Sequence, residues 1–361
     1  MATAPRFHAL EVADVRHETP DTVSIAFRVP DDLKPAYNYQ AGQYLTLRTD
    51  IGGQDIRRSY SICSGLDDGE LRVAIKKVED GRFSGFANDN LAPGMTLDVM
   101  TPMGRFTAPI EPDNAKSYVG FAAGSGITPL MAIVKTVLTR EPLSTFTLFY
   151  GNRDTRSIIF REALEDLKDR FLGRFSLFYT LSREGSDVDL FSGRLTGDKV
   201  RVFADHLFDP ADIDHAFLCG PAEMIVEVHN TLRTLGVPDD RVHEELFTPA
   251  DDVQPKLRSE AARQAQERGA EITAILDGAA RQFVMTDQDG TVVDAGHRHG
   301  IELPYSCKGG MCCTCRCKVV DGSVEMAVNY SLEPWEVEAG YVLACQSRPT
   351  TDTVTLDFDQ V

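Results

Sequence analysis

Apolar and polar residues alternate with a period of two in short runs between about residues 7 and 108, as in Tyr44-Leu45-Thr46-Leu47-Arg48 and Leu71-Arg72-Val73-Ala74-Ile75. Alternation of that period puts one face of a strand on a core and the other in water. Polar, turn-forming clusters at Asp50 to Gln54 and Asp67 to Glu70 separate the runs. The pattern predicts an antiparallel β-barrel over residues 1–110.

The rhythm then changes. Tyr118 to Ala123 is a nearly unbroken apolar run, followed by a glycine-rich turn and by Leu130, Met131, Ile133, Val134, Val137 and Leu138 at helical spacing. Phe146 to Tyr150, Phe175 to Leu181 and Ala216 to Cys219 read as further buried strands, and a second amphipathic helix runs from Pro221 to a stop at Gly236. Strands alternating with helices predict an α/β doubly wound domain with a parallel sheet over residues 111–248. Residues 249–270 are polar and charged, and predict a linker with a helical stretch between Leu257 and Arg268. A hairpin, Ile272 to Leu276 and Arg281 to Met285, opens a third domain over residues 271–361. The chain is therefore expected to be multidomain.

Composition narrows the function classes. The formal charge of −18, from 37 basic and 55 acidic residues, argues against a nucleic-acid partner. No apolar run approaches the length of a membrane span, and Met1 to Glu11 lacks the basic and apolar stretches of a secretory leader. Eight cysteines in a chain expected to be cytoplasmic point to metal ligands and reduced thiols rather than to disulfides.

Cys307, Cys312, Cys315 and Cys345 are separated by four, two and twenty-nine residues, the plant-type spacing for a [2Fe–2S] cluster. Gly309 and Gly310 fit a loop that must bring backbone N–H groups toward sulfur. A structural zinc site is the competing reading, although zinc ribbons use two short-spaced pairs. Cys313 and Cys317 are read as non-ligand thiols, with Cys313 in place of Cys312 as the alternative. Because such a cluster carries one electron at a time, a hydride-splitting group is required upstream.

Candidates for that chemistry are spread along the chain. In Arg57-Arg58-Ser59-Tyr60-Ser61-Ile62 an arginine fork can pair with a pyrophosphate, an aromatic ring can stack on a flavin, and a serine can bond a ring nitrogen. A basic turn entering a strand explains the same residues. Gly81-Arg82-Phe83-Ser84 offers a phosphate nest. Gly124-Ser125-Gly126-Ile127-Thr128-Pro129 joins a buried strand to a helix whose N-terminus favours a pyrophosphate. Cys219-Gly220-Pro221 is a second turn at the same sheet edge, although Cys219 alone reads equally as a buried hydrophobe. Ser182-Arg183 could clasp the 2′-phosphate of NADPH or stand as surface residues. His297 and His299 read as solvated.

In this order, Arg58-Ser59-Tyr60-Ser61, Gly124 to Pro129, Cys219-Gly220-Pro221 and the cysteine loop resemble the ferredoxin–NADP reductase-like oxygenase reductases. Tyr150-Gly151-Asn152-Arg153, Asn329-Tyr330-Ser331-Leu332-Glu333-Pro334 and Ala339-Gly340-Tyr341-Val342-Leu343 are similar to the branch of that family serving phenylacetate catabolism. The resemblance covers essentially the whole chain. It implies an FAD-binding barrel, a nicotinamide domain and a C-terminal α+β ferredoxin domain of β-grasp type. Arg58 would hold the FAD pyrophosphate, Tyr60 would stack on the isoalloxazine, Ser61 would bond near its N5, and Ser59 would be a further cofactor-binding residue. Ile75, Lys76, Lys77 and Gly81 to Ser84 would line the rest of FAD. Gly124, Ser125, Gly126, Thr128, Pro129, Cys219, Gly220 and Pro221 would frame the nicotinamide coenzyme, with Arg153, Ser182 and Arg183 favouring NADPH. Glu245 would stand beside the flavin, giving Ser61, Cys219 and Glu245 as the catalytic group.

The implied function is electron transfer from NADPH through FAD and [2Fe–2S] to the di-iron oxygenase component of an epoxidase acting on an aromatic acyl-CoA. A benzoyl-CoA epoxidase, a ring hydroxylase or a ketosteroid hydroxylase would be served by the same architecture, and a redox sensor is the rival of another class. One departure is Gly296, in a short helix where relatives often carry alanine.

Overall fold

The computed structural model describes residues 5–185, 188–247 and 256–360. The chain divides into two compact units, Phe7–Phe247 and a C-terminal unit that follows it. The first unit contains two sheets that share a core, and the second contains one principal sheet.

Six antiparallel strands form the first sheet: β1 (Phe7–Thr19), β2 (Thr22–Arg28), β3 (Tyr44–Asp50), β4 (Asp55–Ser61), β5 (Leu71–Lys76) and β6 (Thr96–Met100), in the order β4-β3-β6-β1-β2-β5. Its two outer strands meet at an antiparallel bridge between Ile62 and Val73, and Cys63 N donates to Arg72 O at 2.9 Å. That contact curls the sheet toward a barrel, as the alternating pattern predicts. Leu10, Val12, Ile25, Leu45, Leu47, Val73 and Val99 fill its interior. The helix α1 (Arg82–Asn90) packs across one end through Phe83 and Ala87.

The second sheet is wholly parallel, with strands β7 (Ser117–Ala123), β8 (Thr145–Asn152), β9 (Phe175–Leu181), β10 (His215–Gly220) and β11 (Val242–Leu246) in the order β11-β10-β7-β8-β9. On one face lie α2 (Ile127–Arg140) and α3 (Arg161–Arg170), and on the other α4 (Gly197–His206) and α5 (Ala222–Thr234). Pro221 caps α5 from outside rather than opening it. The core beneath α2 continues into the barrel through Ala41, Cys63, Ala74 and Phe106, with Phe106 edge-on to Phe217 at 5.2 Å. Lys135 and Arg140 of α2 reach Asp68 and Asp67 at 2.7 and 2.8 Å. Barrel and parallel sheet are thereby held as one body, which no division at residue 110 would suggest.

In the C-terminal unit, β12 (Ala270–Leu276) and β13 (Ala279–Met285) form the expected hairpin around Asp277-Gly278, both left-handed. A two-residue turn with positive φ at both positions matches strand twist, and Asp359 accepts both turn N–H groups at 2.8 and 2.7 Å. With α7 (Val292–Arg298), β14 (Arg316–Asp321), β15 (Val324–Met326), α8 (Pro334–Glu338), β16 (Tyr341–Leu343), β17 (Ser347–Pro349) and β18 (Thr353–Asp357) the chain completes a sheet ordered β13-β12-β18-β14-β16. Strands β12 and β18 run parallel while their neighbours are antiparallel, and α7 covers the sheet. This is the β-grasp arrangement.

The expected linker needs correction. Its residues 249–255 lie outside the described residues, and its remainder does not span. Helix α6 (Glu260–Arg268), capped by Ser259, buries Ala262, Ala265 and Gln266 against the C-terminal unit. Lys256 N already donates to Ala327 O at 2.9 Å. Two alanines at i and i+3 are enough apolar surface to seat a short helix, a signal that the polar composition hides. Gly296 also has a packing reason. A Cβ there would lie 2.8 Å from the Leu303 side chain, so glycine admits Leu303 to the core.

Candidate functional site

Strand β4 sorts its residues by alternation. Arg57 is buried, pairs with Asp55 at 2.8 Å and lies under the Phe7 ring. Its neighbour Arg58 is exposed, with Nη1 donating to Arg57 O at 2.7 Å, and shares a strand face with Tyr60, which packs against the barrel core. The Tyr60 ring lies 5.6 Å from Phe83, at the start of α1. Ser59 Oγ meets Thr46 Oγ1 at 3.2 Å, and Ser61 is buried. Gly81-Arg82-Phe83-Ser84, expected as a turn, is the N-terminus of α1, where Gly81 at the N-cap supplies no side-chain cap and the first-turn N–H groups favour an anion. Arg82 bonds Gln54 and the Ile51 carbonyl.

Two expected FAD residues are placed otherwise. Ile75 is fully buried in the barrel core, and its carbonyl accepts from Asn88 Nδ2 at 3.0 Å. Lys77 is drawn outward to Asp89 at 2.7 Å. Lys76, in contrast, approaches Asp21 at 3.6 Å, and Arg153 approaches the same carboxylate at 3.5 Å. Asp21 gathers cations from both sheets of this unit. It escaped the sequence reading, because a lone aspartate in a hairpin turn carries no spacing signal.

At the carboxyl edge of the parallel sheet, two turns meet. Gly124 to Gly126 follow β7 and lead into α2, with Thr128 Oγ1 donating to Ser125 O at 3.0 Å. Tyr150 Oη donates to Gly124 O at 2.9 Å and accepts from Ile159 N at 3.3 Å, which pins the turn. A Cβ on Gly126 would fall 2.0 Å from the Cys219 carbonyl oxygen, so only glycine lets this turn touch Cys219-Gly220-Pro221. Pro129 is buried in the first turn of α2. Ser182 and Arg183 are exposed beyond β9, and Arg183 N donates to Arg153 O at 2.8 Å, bringing the three residues expected at a 2′-phosphate to one corner.

Ser61, Cys219 and Glu245 come together although they lie far apart in sequence. Cys219 and Glu245 are register partners on β10 and β11, and Ser61 Oγ donates to Glu245 Oε2 at 3.0 Å. Burial raises the Glu245 carboxyl from its ordinary value to about 7, and the Ser61 bond opposes part of that rise. Burial and the nearby carboxylate also push the Cys219 thiol well up, so it stays protonated. The group can hold a proton near neutrality but offers no thiolate nucleophile.

In the C-terminal unit, Cys307 takes hydrogen bonds from Cys312 and Cys345, and Cys345 also bonds Cys315. The Cys307 thiol is drawn far below its ordinary value by the Cys312 bond first, then by Cys345 and by the Gly309 and Met311 N–H groups, against the cost of burial. Gly309 N reaches Cys307 Sγ at 3.3 Å, and Gln346 Nε2 reaches Cys345 Sγ at 3.6 Å. Gly310 has φ +78° and sits against Val328 and Gln346. Cys313 turns away to Ser331 Oγ at 3.0 Å, and Cys317 is buried in β14 against Val342 O at 3.9 Å. A set of four thiols with backbone N–H groups directed at sulfur fits a [2Fe–2S] cluster. His297 and His299 are exposed, as expected.

Three family models match the chain in succession: an oxidoreductase FAD-binding domain over residues 9–108, an oxidoreductase NAD-binding domain over 121–230, and a 2Fe-2S iron-sulfur cluster binding domain over 274–350. The chain is 45% identical over 353 residues to a component of the 1,2-phenylacetyl-CoA epoxidase of Escherichia coli (strain K12), covering 98% of each. It is 37% identical to the 3-ketosteroid-9-alpha-monooxygenase ferredoxin reductase component of Rhodococcus rhodochrous, covering 97% of this chain and 96% of that one. Its fold is similar to the crystal structure of phthalate dioxygenase reductase, with a TM-score of 0.60, 22% identity and coverage of 97% and 98%. No helix among the described residues is long and apolar enough to cross a membrane.

Proposed function

We propose the function of this chain from one premise: it belongs to the oxidoreductase family that includes the reductase of phenylacetyl-CoA epoxidase and the ketosteroid monooxygenase ferredoxin reductase components, with FAD-binding, NAD-binding and [2Fe–2S] domains in that order. It is the reductase component of an oxygenase system. The reading is electron delivery from NADPH to the oxygenase component of a phenylacetyl-CoA epoxidase, with a di-iron centre as the acceptor. The observation that carries it is 45% identity across 98% of both chains. The 37% likeness to a ketosteroid reductase component is the specific ground for a second reading, a ketosteroid oxygenase as partner.

When bound, FAD and the cluster supply the conversion of a hydride into single electrons and their carriage one at a time. The chain's own residues position and protect that chemistry. Exposed Arg58 and the α1 N-terminus at Gly81 to Ser84 would hold the FAD pyrophosphate, with Tyr60 against its ring system. The paired turns at Gly124 to Pro129 and Cys219 to Pro221 would receive the nicotinamide end of the coenzyme, while Arg153, Ser182 and Arg183 would take the 2′-phosphate. Glu245 holds a proton near neutral pH beside the Ser61 hydroxyl, and the pair would present a proton donor to the flavin. Cys307, Cys312, Cys315 and Cys345 would be the cluster ligands. The four remaining cysteines would stay reduced in a cytoplasmic setting.

Reconstitution tests the reading. The purified reductase is combined with the oxygenase component of a phenylacetyl-CoA epoxidase or of a ketosteroid hydroxylase, and NADPH consumption is scored against oxygenated product. Coupling to the first alone supports the proposal, coupling to the second alone replaces it, and coupling to neither overturns both.

A further inference from the structure

The short helix α8 is anchored through Glu336. Glu336 is fully buried, accepts from Arg316 Nε at 2.8 Å through Oε1, and accepts from Glu333 N at 3.0 Å through Oε2. Arg316 follows Cys315 in sequence, and its guanidinium lies 3.6 Å from the Tyr341 ring centroid. With Glu336 turned inward, helical spacing turns Pro334, Trp335, Val337 and Glu338 outward, and all four are exposed. Trp335 is the only tryptophan in the chain and is 59% exposed, with Val337 at 42%.

The segment that leads into α8 rests on the cysteine loop. Tyr330 N and Ser331 Oγ donate to Gly310 O at 3.1 and 3.2 Å, and Cys313 Sγ donates to Ser331 Oγ at 3.0 Å. An exposed tryptophan forgoes a large burial gain, and tryptophan dominates the energetic centres of protein interfaces. Its surroundings are acidic. Glu333 and Glu338 are exposed beside it, and residues 271–361 hold 14 acidic and 6 basic residues, a formal charge of −8.

Building on the reductase function above, we propose that the α8 face, centred on Trp335, is the docking surface for the oxygenase component, whose complementary surface is an apolar cleft rimmed by lysine or arginine. A partner seated there rests against the segment that touches the cysteine loop. Opposite charge sets the encounter rate, while the buried tryptophan sets the lifetime of the complex.

The test uses full-length holoprotein and the oxygenase component that it reduces. Protein grown with 5-fluorotryptophan carries one fluorine resonance, which should shift or broaden when the oxygenase is added. In coupled turnover, Trp335→Ala should raise the half-saturating oxygenase concentration by about tenfold or more. Glu338→Lys should raise it at low salt and weaken its salt dependence. The NADPH–ferricyanide rate and the visible absorption of the cluster should stay unchanged in both. An unmoved resonance with unchanged coupling overturns the proposal. A resonance that moves with reductase concentration alone assigns the face to a second copy of this chain. Slower reduction of the chain's own cluster in Trp335→Ala, without oxygenase, assigns it to the flavin side, and either result overturns the proposal. Failure of the wild-type reductase to couple to any oxygenase removes the functional reading, and the docking surface falls with it. Should Trp335→Ala lose its cluster, Glu338→Lys and the fluorine resonance decide.

Discussion

Ser61 and Glu245, 184 positions apart, share a hydrogen bond of 3.0 Å that ties the last residue of a barrel strand to the edge of the parallel sheet. Both sheets must be correctly docked for the bond to form, so the proton-holding group exists only in the assembled unit. Its location places the acid beside the residue expected nearest the flavin.

Glu245 should therefore make stability depend on pH. Its folded value is about 7 against an ordinary 4.5, so the folded state binds a proton that the unfolded state has lost between those limits. The stabilisation is complete below about pH 4.5, declines through the interval and is gone above about 7. Glu245→Gln should remove this slope, and at pH 8 should gain on the order of 2 kcal/mol relative to wild type after discounting for partial exposure. Thermal melts of the FAD-loaded proteins at pH 5 and pH 8 check this. Parallel melting shifts in both proteins would contradict it.

The thiol assignments separate by substitution. Cys312→Ser and Cys315→Ala should each abolish acid-labile sulfide and coupled oxygenation while sparing NADPH–ferricyanide turnover. Cys313→Ser, whose hydroxyl can keep the contact with Ser331, should retain about two irons and two sulfides per chain. Iron and sulfide analysis with the visible spectrum decides, and loss of the cluster in Cys313→Ser would reassign the ligand.

Arg183→Ala should raise the Michaelis constant for NADPH by roughly one to two orders of magnitude, the loss of a charge-assisted phosphate contact. The constant for NADH should barely move. Equal changes for the two coenzymes would remove Arg183 from the 2′-phosphate site.

At Gly126 the neighbouring atom is a backbone carbonyl, which cannot swing aside as a side chain would. Gly126→Ala should separate the two coenzyme turns and cost on the order of 1–3 kcal/mol, with a raised Michaelis constant for either coenzyme. Unchanged melting temperature and coenzyme kinetics would show that the close approach is dispensable.

Sequence pattern carried the elements better than their assembly. Alternation at Tyr44 to Arg48 and at Leu71 to Ile75 located barrel strands, and the apolar run at Tyr118 located the first parallel strand, because period and burial are local properties. Cysteine spacing singled out the thiols that hydrogen-bond one another, since a short loop leaves few ways to place them. The neighbourhood of Asp21, Lys76 and Arg153 depends on how two sheets dock, and no local pattern encodes that. Ile75 belongs to a motif-rich stretch yet points inward, because strand alternation fixes its direction whatever its neighbours bind. The helical stretch of α6 was legible, but its packing through two alanines was masked by the polar residues around them.

That helix decides where the iron–sulfur module begins. Hydrogen bonds from Lys256 to Ala327 and from Arg348 to the Lys256 carbonyl fasten the strap ahead of α6, and Ala262 and Ala265 seal the surface behind it. A fragment cut at residue 271 would lose this brace and bare the apolar floor beneath it, whereas one starting at Lys256 keeps it. Portability between oxygenase reductases, whether by recombination in evolution or by grafting in the laboratory, would then follow the seam before Lys256, with α6 travelling as part of the cargo.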